Sequence, residues 1–249
     1  MHPHRRLMAA VVTALVFAST AFATGAAHAR GQLQTRQTGI DLPAGTRAAR
    51  LVLANTGDAP ILAQIRVYAW HQDGSDDQLE RSDDALVASP PIVEIAPGGE
   101  QLVRLVRPSA AAVPGERAYR VVVDELPGDP VAGEGSAVTV RMRYLLPAFV
   151  RAADAAPAQL HCELERQGEQ PALACRNSGG RAARLGATRL IGRGGRELEV
   201  TPGLLGYVLA GSARRFPLDA ARLAALDAPA KLEVSLNGQP AAIDLALHR

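Results

Sequence analysis

What most constrains this chain is its punctuation: apolar runs too short for helices, each stopped by Gly, Pro or Asn. Leu51-Val52-Leu53-Ala54 ends at Asn55-Thr56-Gly57-Asp58, and a second apolar-rich run extends from Ile61 to Trp70. Within it Ile65, Val67 and Ala69 alternate with Arg66, Tyr68 and Trp70, the two-residue period of a half-buried strand. His71 to Asp84 is polar and acidic, and Ser89-Pro90-Pro91 then breaks the chain before Ile92–Ile95. Pro97-Gly98-Gly99 precedes Leu102, Val103, Leu105 and Val106, and the run Tyr119–Val123 stops at Leu126-Pro127-Gly128. Short strands at this spacing predict a β-sandwich.

The second half repeats the pattern more weakly, with predicted strands over 160–165, 172–176, 183–190, 198–201, 215–218, 232–236 and 242–247. Asn237-Gly238 lies between the last two, the strongest short hairpin signal in the chain. Residues 219–226 form the one short helical candidate, with Asp219 as its cap. At 249 residues and 47% apolar, the chain has material for real cores and is too long for most single β-domains. Residues 151–159 read as a linker, which divides the mature chain into domains at 30–150 and 151–249.

The N-terminus supplies an address. His4-Arg5-Arg6 precedes an uncharged run from Leu7 to Ala23, followed by Thr24-Gly25-Ala26-Ala27-His28-Ala29. This reads as a signal peptide over residues 1–29, cleaved after Ala29. The competing reading, an uncleaved anchor, is disfavoured by the run's Ala, Thr and Ser content and its small-residue end. Basic residues number 27 against 25 acidic ones, and removing Arg5 and Arg6 leaves 25 against 25. A neutral mature chain is a poor electrostatic partner for nucleic acid or a membrane surface. Cys162 and Cys175 are too few for a thiolate zinc site. In an exported chain they are expected to form a disulfide, with two buried free thiols as the alternative.

One run stands apart. In Ala137–Leu146 the residues Val138, Val140 and Met142 fall on one face, and Thr139, Arg141 and Arg143 on the other, with Tyr144 continuing the apolar face and Pro147 expected to close the strand. Catalytic constellations are missing by comparison. His71, His161 and His248 have no metal-ligand spacing. Asp73-Gly74-Ser75-Asp76-Asp77 lacks the later glutamate of a calcium loop and reads as a solvated hairpin tip. Gly192-Arg193-Gly194-Gly195 lacks the context of a phosphate loop, and neither Ser89 nor Ser212 sits in a nucleophile elbow. Trp70 and Tyr119 read as core aromatics. No enzyme, metal or cofactor is expected.

Several of these segments occur in a recognisable order. Asn55-Thr56-Gly57-Asp58, Ser89-Pro90-Pro91, Pro97-Gly98 with Arg104 downstream, and Glu116-Arg117-Ala118-Tyr119-Arg120 leading to Glu125-Leu126-Pro127 together resemble the periplasmic chaperones of the chaperone–usher route of pilus assembly. Leu145-Leu146-Pro147-Ala148-Phe149-Val150, Asn177-Ser178-Gly179-Gly180 and Gly206–Ser212 are similar to the archaic branch of that family. The resemblance implies an all-β chain of two immunoglobulin-like β-sandwich domains in an L-shaped arrangement, located in the periplasm. It implies as partners pilus or spore-coat-like secreted subunits and an outer-membrane usher, with no nucleic acid.

On this reading Val138, Val140, Met142 and Tyr144 form a donor strand that fills the groove of an incomplete subunit sandwich. Main-chain bonds give affinity and side chains give register. Full burial of Val138, Val140 and Met142 would contribute about 1.5–3 kcal/mol each before ordering costs. Such an edge is also a hazard that self-association could cap when idle. Alternation alone does not separate this from packing on the strand's own core, the commoner case for a half-buried strand; the resemblance reverses the preference in favour of lending. It further implies that two basic residues in the cleft between the domains anchor the subunit's C-terminal carboxylate, with Arg143 the best match on this strand and Arg141 next. The second is expected in a Pro-x-Arg-Ile-x-Leu pattern. Here that pattern aligns with Gln37-Thr38-Gly39-Ile40-Asp41-Leu42, placing Gly39 where arginine is expected and leaving Arg36 as the substitute if a bulge intervenes. The alternative function is a structural immunoglobulin-like pilus subunit or adhesin. Against it, Gly31–Thr38 is polar where a donor segment would be apolar.

Overall fold

The computed structural model describes residues 32–74, 76–81, 86–109, 111, 113–127, 140–165 and 170–247. The signal-peptide segment 1–29 and donor residue Val138 lie outside the described residues. Two β-sandwiches follow one another along the chain. In the first, one sheet runs β1 (Leu33–Thr35), β3 (Ala48–Asn55), β8 (Glu100–Val106), β6 (Val87–Ser89). The facing sheet runs β2 (Ile40–Leu42), β10 (Arg143–Arg151), β9 (Glu116–Glu125), β4 (Ile61–Gln72), β5 (Asp77–Arg81), with β7 (Ile92–Ile95) also on β4. Alternation along these strands builds the core: Leu51 and Leu53, Ala63 and Ile65, Val103 and Leu105, and Val121 and Val123 all point inward and are buried.

The second sandwich pairs a sheet of β16 (Ala213–Pro217), β12 (Ala172–Asn177), β11 (Leu160–Glu165) and β19 (Ala246–Leu247) with one of β14 (Glu197–Thr201), β13 (Ala183–Gly192), β17 (Pro229–Leu236) and β18 (Gln239–Asp244). β15 (Gly206–Val208) adds to β13. The expected hairpin joins β17 to β18, with Asn237 at φ 52° and Gly238 at φ 84°, the left-handed pair that a two-residue turn requires. The short helix Ala220–Ala224 is capped by the Asp219 carboxylate, which accepts from the N–H groups of Ala221 and Arg222. Cys162 and Cys175 face each other on paired strands, with Cα atoms 4.1 Å apart, and are bridged.

The same asparagine device pins one corner of each sandwich. Buried Asn55 donates to the carbonyls of Ala59 and Ile95 and accepts from Gln32 and Gly57 N–H. Buried Asn177 donates to Arg181, Val208 and Leu209 carbonyls and accepts from Gln159 and Gly179 N–H. Gly179 allows close approach there, since a Cβ would lie 2.1 Å from the Pro157 carbonyl oxygen. Each of these two buried side chains satisfies backbone groups that a turn would otherwise leave unpaired.

One sequence expectation is corrected and one omission filled. The polar segment His71–Asp84, to which the sequence assigned no strand, includes β5, which pairs with β4. Exposed on nearly every residue, it is an edge strand whose charges are tolerated because they never enter the core. Pro147 does not close the 137–146 strand; regular pairing begins at Arg143 and runs through Pro147 to Arg151. Glu125 N–H donates to the Met142 carbonyl at 3.0 Å, which makes positions 142, 144 and 146 the hydrogen-bonded pairs with β9. Pro147, opposite Arg120, therefore turns its missing N–H away from β9 and costs the ladder nothing.

Candidate functional site: an open strand edge and a basic cleft

β10 has β9 along its whole length on one flank, but on the other it has only β2, in parallel, from Ala148 to Val150. From Arg143 to Pro147 that second flank carries no strand among the described residues. By the pairing alternation, the backbone groups of Arg143 and Leu145 point out along it. The side chains divide in a way that sequence alternation alone left open. Met142 and Tyr144 lean, half-buried, on the first sandwich's own core, and the Tyr144 hydroxyl donates to the Leu33 carbonyl at 2.8 Å, tying β10 to β1 of the opposite sheet. Val140 is 73% exposed and Leu145, on the outer face, 49%.

The three arginines expected as anchors are scattered. Arg143 donates through Nε to Asp124, which also accepts from Arg66. Burial would raise the Asp124 pKa, but the hydrogen bonds from Arg66 and Arg143 outweigh it and hold the carboxyl below its usual range. Arg141 and Arg36 are exposed, Arg36 at the crossover from β1 to β2. Gly39 carries no strain; a Cβ there would stand 3.5 Å from the Pro147 ring, an ordinary contact.

Sequence reasoning missed how the two sandwiches are joined. Trp70, Phe149, Ala182, Tyr207 and Leu209 form a buried cluster of their own. The Trp70 ring lies 5.5 Å from Tyr207, edge-on, and 6.2 Å from Phe149. Arg120 stacks 3.5 Å from the Trp70 centroid, where burial lowers its pKa against the pull of Asp77 and Tyr207. Asp77 binds Arg120 at 3.5 Å and also pairs with Arg214 of the second sandwich. Gln72 donates to the Tyr207 carbonyl and accepts from Leu209 N–H, both at 2.9 Å. The outward phase of Trp70 on β4 was the available signal, since every second residue there leaves the first core.

Beside this cluster runs a cleft of about 440 Å³ whose lining includes Thr38, Gly39, Pro147, Phe149, Arg151, Arg181, Arg184 and Tyr207. Arg151 is held by Asp41 at 2.8 Å and Glu116 at 2.6 Å, and Glu116 accepts in turn from Ala182 N–H at 2.7 Å. None of Arg36, Arg141 and Arg143 lines the cleft. Among the described residues no cluster of His, Cys, Asp or Glu is placed to hold a metal ion, and no helix is long and apolar enough to cross a membrane.

Comparison with known proteins places these features in context. The sequence model of the pili and flagellar-assembly chaperones, PapD N-terminal domain, matches residues 32–156. A crystal structure of the CsuC–CsuE chaperone–tip adhesion subunit pre-assembly complex, from archaic chaperone–usher Csu pili of Acinetobacter baumannii, is similar at a TM-score of 0.67 and 24% identity, covering 89% of this chain and 100% of that one. The Pseudomonas aeruginosa CupB2 chaperone is similar at 0.57 and 20%, covering 86% and 100%. The Salmonella enterica SafB chaperone, solved with the SafA pilin, is similar at 0.61 and 17%, covering 86% and 96%. At these identities the likeness is one of fold. No curated protein sequence matches the chain.

Proposed function

We propose, from the premise that this chain belongs to the pilus-assembly chaperones of the PapD family, that it stabilises pilus subunits by lending them β10. The observation that carries this reading is the one-sided pairing of Arg143–Pro147. A subunit lacking one strand of its sandwich can pair its exposed backbone with that flank and cover its open core with side chains at its rim. Val140 supplies apolar surface that the chaperone itself leaves in water, and Met142 and Tyr144 are shared with the chaperone's own core. The chaperone acts in the periplasm after losing residues 1–29, with working units at 30–150 and 151–249, and hands its cargo to an outer-membrane usher. Binding makes and breaks no covalent bond; apolar burial and strand pairing drive it.

The test is co-expression with secreted subunits, reading which becomes soluble only in the chaperone's presence. Val140→Arg should leave the chaperone's melting temperature unchanged, because the side chain touches little in the free protein. It should abolish co-purification of the subunit, because a guanidinium would enter an apolar groove. Retention of the subunit at wild-type levels would refute strand lending.

A further inference from the structure

The start of β10 is held almost entirely from one side. Glu125 N–H donates to the Met142 carbonyl at 3.0 Å, Met142 N–H donates to the Glu125 carboxylate at 3.2 Å, and the Arg143 guanidinium donates to Asp124. All three ties run to β9, in the same sheet. A strand end bonded along one flank, with water on the other, is the kind of element that opens locally. Among the described residues one hydrogen bond runs from β10 to the opposite sheet, from the Tyr144 hydroxyl to the Leu33 carbonyl at 2.8 Å.

The acceptor end of that bond is equally particular. β1 is the edge strand of its sheet. The Gln32 carbonyl accepts from Thr56 N–H at 3.0 Å, so positions 32 and 34 bond to β3 and Leu33 turns its backbone groups away from it. The Leu33 carbonyl therefore stands on the free flank of β1, within reach of the strand whose own flank is free. Left open, it would offer an arriving strand a second place to pair. Along the inner face of β10, exposure falls from 73% at Val140, through half-buried Met142 and Tyr144, to 6% at Leu146. Tyr144 stands at that boundary. To enter a guest's groove it would have to surrender both its bond to Leu33 and its packing on the core.

We propose that Tyr144 is a positioning residue and not one of the side chains lent: its hydroxyl moors β10 to β1 and closes the edge of β1, leaving the flank of β10 as the line on which a guest pairs. The assignment rests on the strand-lending reading. A guest covers the Tyr144 ring where it stands, and the side chains it takes into its groove come from the Val140 end of the strand.

The test is Tyr144→Phe in the full mature chain, which removes the hydroxyl and keeps the ring. Local opening should increase by roughly 2- to 12-fold, the scale of one hydrogen bond, read as faster amide hydrogen exchange at Glu125. The thermal midpoint should fall by no more than about 2–4 °C. The co-purifying fraction of a co-expressed subunit should fall as well, because fewer molecules present an ordered flank. Tyr144→para-aminophenylalanine, which returns a donor to the same end of the ring, should restore both exchange and capture. Ile65→Val, a core change of similar cost, should lower the midpoint alike and leave both untouched. Were Tyr144 a lent side chain, phenylalanine would fill the guest's groove as well as tyrosine. Capture at wild-type levels by Tyr144→Phe, unchanged exchange at Glu125, or equal losses in Ile65→Val therefore overturns the assignment. If exchange quickens and is rescued as expected while the wild-type chain renders no subunit soluble, the mooring stands and strand lending is what fails.

Discussion

Replacing Leu145 with proline probes the open edge at one backbone atom. The register set by Glu125 N–H on the Met142 carbonyl turns the Leu145 N–H toward the free flank, opposite the side that pairs with Val122. Proline already occupies the equivalent phase at Pro147 in the same strand, so the fold should accept the ring. The half-exposed leucine side chain contributes little packing, and the chaperone should lose at most about 1 kcal/mol. A bound guest loses more. The missing main-chain bond is worth about 0.5–1.5 kcal/mol, and a guest carbonyl left buried without a donor costs about 1–3 kcal/mol. Together these predict binding weaker by roughly 10- to 1500-fold. The assay is the soluble, co-purifying fraction of a co-expressed subunit, with the chaperone's thermal midpoint measured alongside. Tyr144→Pro is the contrast: position 144 bonds to β9, so proline there should unfold the first sandwich. If Leu145→Pro folds and still retains the subunit at wild-type levels, the flank is not the docking line.

The Asp124 carboxylate, held below its usual pKa by Arg66 and Arg143, contributes stability above the ordinary aspartate range and loses it as pH falls through its lowered value. Asp124→Asn should therefore be less stable than wild type at neutral pH and show a shallower acid limb in pH-dependent melting; parallel acid limbs would refute the pairing. Trp70→Ala should cost about 3–5 kcal/mol, as for a buried aromatic. It should also split a single calorimetric transition into two, because it removes the ring that bridges the sandwiches; an unsplit transition at the wild-type temperature would show that the cluster does not couple them.

The architecture was legible where burial imposes a period. Leu51 and Leu53, Ile65, Val103 and Leu105, and Val121 and Val123 alternate because one face of each strand meets a core, and Asn237-Gly238 announces its own hairpin. Illegible were the strands whose pairing is set by neighbours and not by pattern. β1 and β2 are three residues each, and the chain changes sheets between them; β5 is polar because it lies at an edge. The reading of Pro147 as a terminator failed for a related reason, since a proline's effect depends on which flank its nitrogen faces, and sequence carries no flank. At the site, the sequence marked β10 but not its open side. Arg181 and Arg184 line the cleft although no local pattern in the second half marks them, because the cleft exists only once the two sandwiches are packed together.

An edge kept open for a partner also invites a second copy of the same chain, and the local sequence limits that exposure. Arg141 and Arg143 put charge beside the free flank, Pro147 withholds a donor near its end, and β2 closes it from Ala148. What remains offers the outward backbone groups of Arg143 and Leu145 and the exposed methyls of Val140, too little on its own to hold an unfolded guest against its ordering entropy. On the strand-lending reading the guest's own open core must supply the remainder, by burying apolar surface against Val140, Met142 and Tyr144. A stray edge strand from another copy, its core already closed, has no such surface to offer.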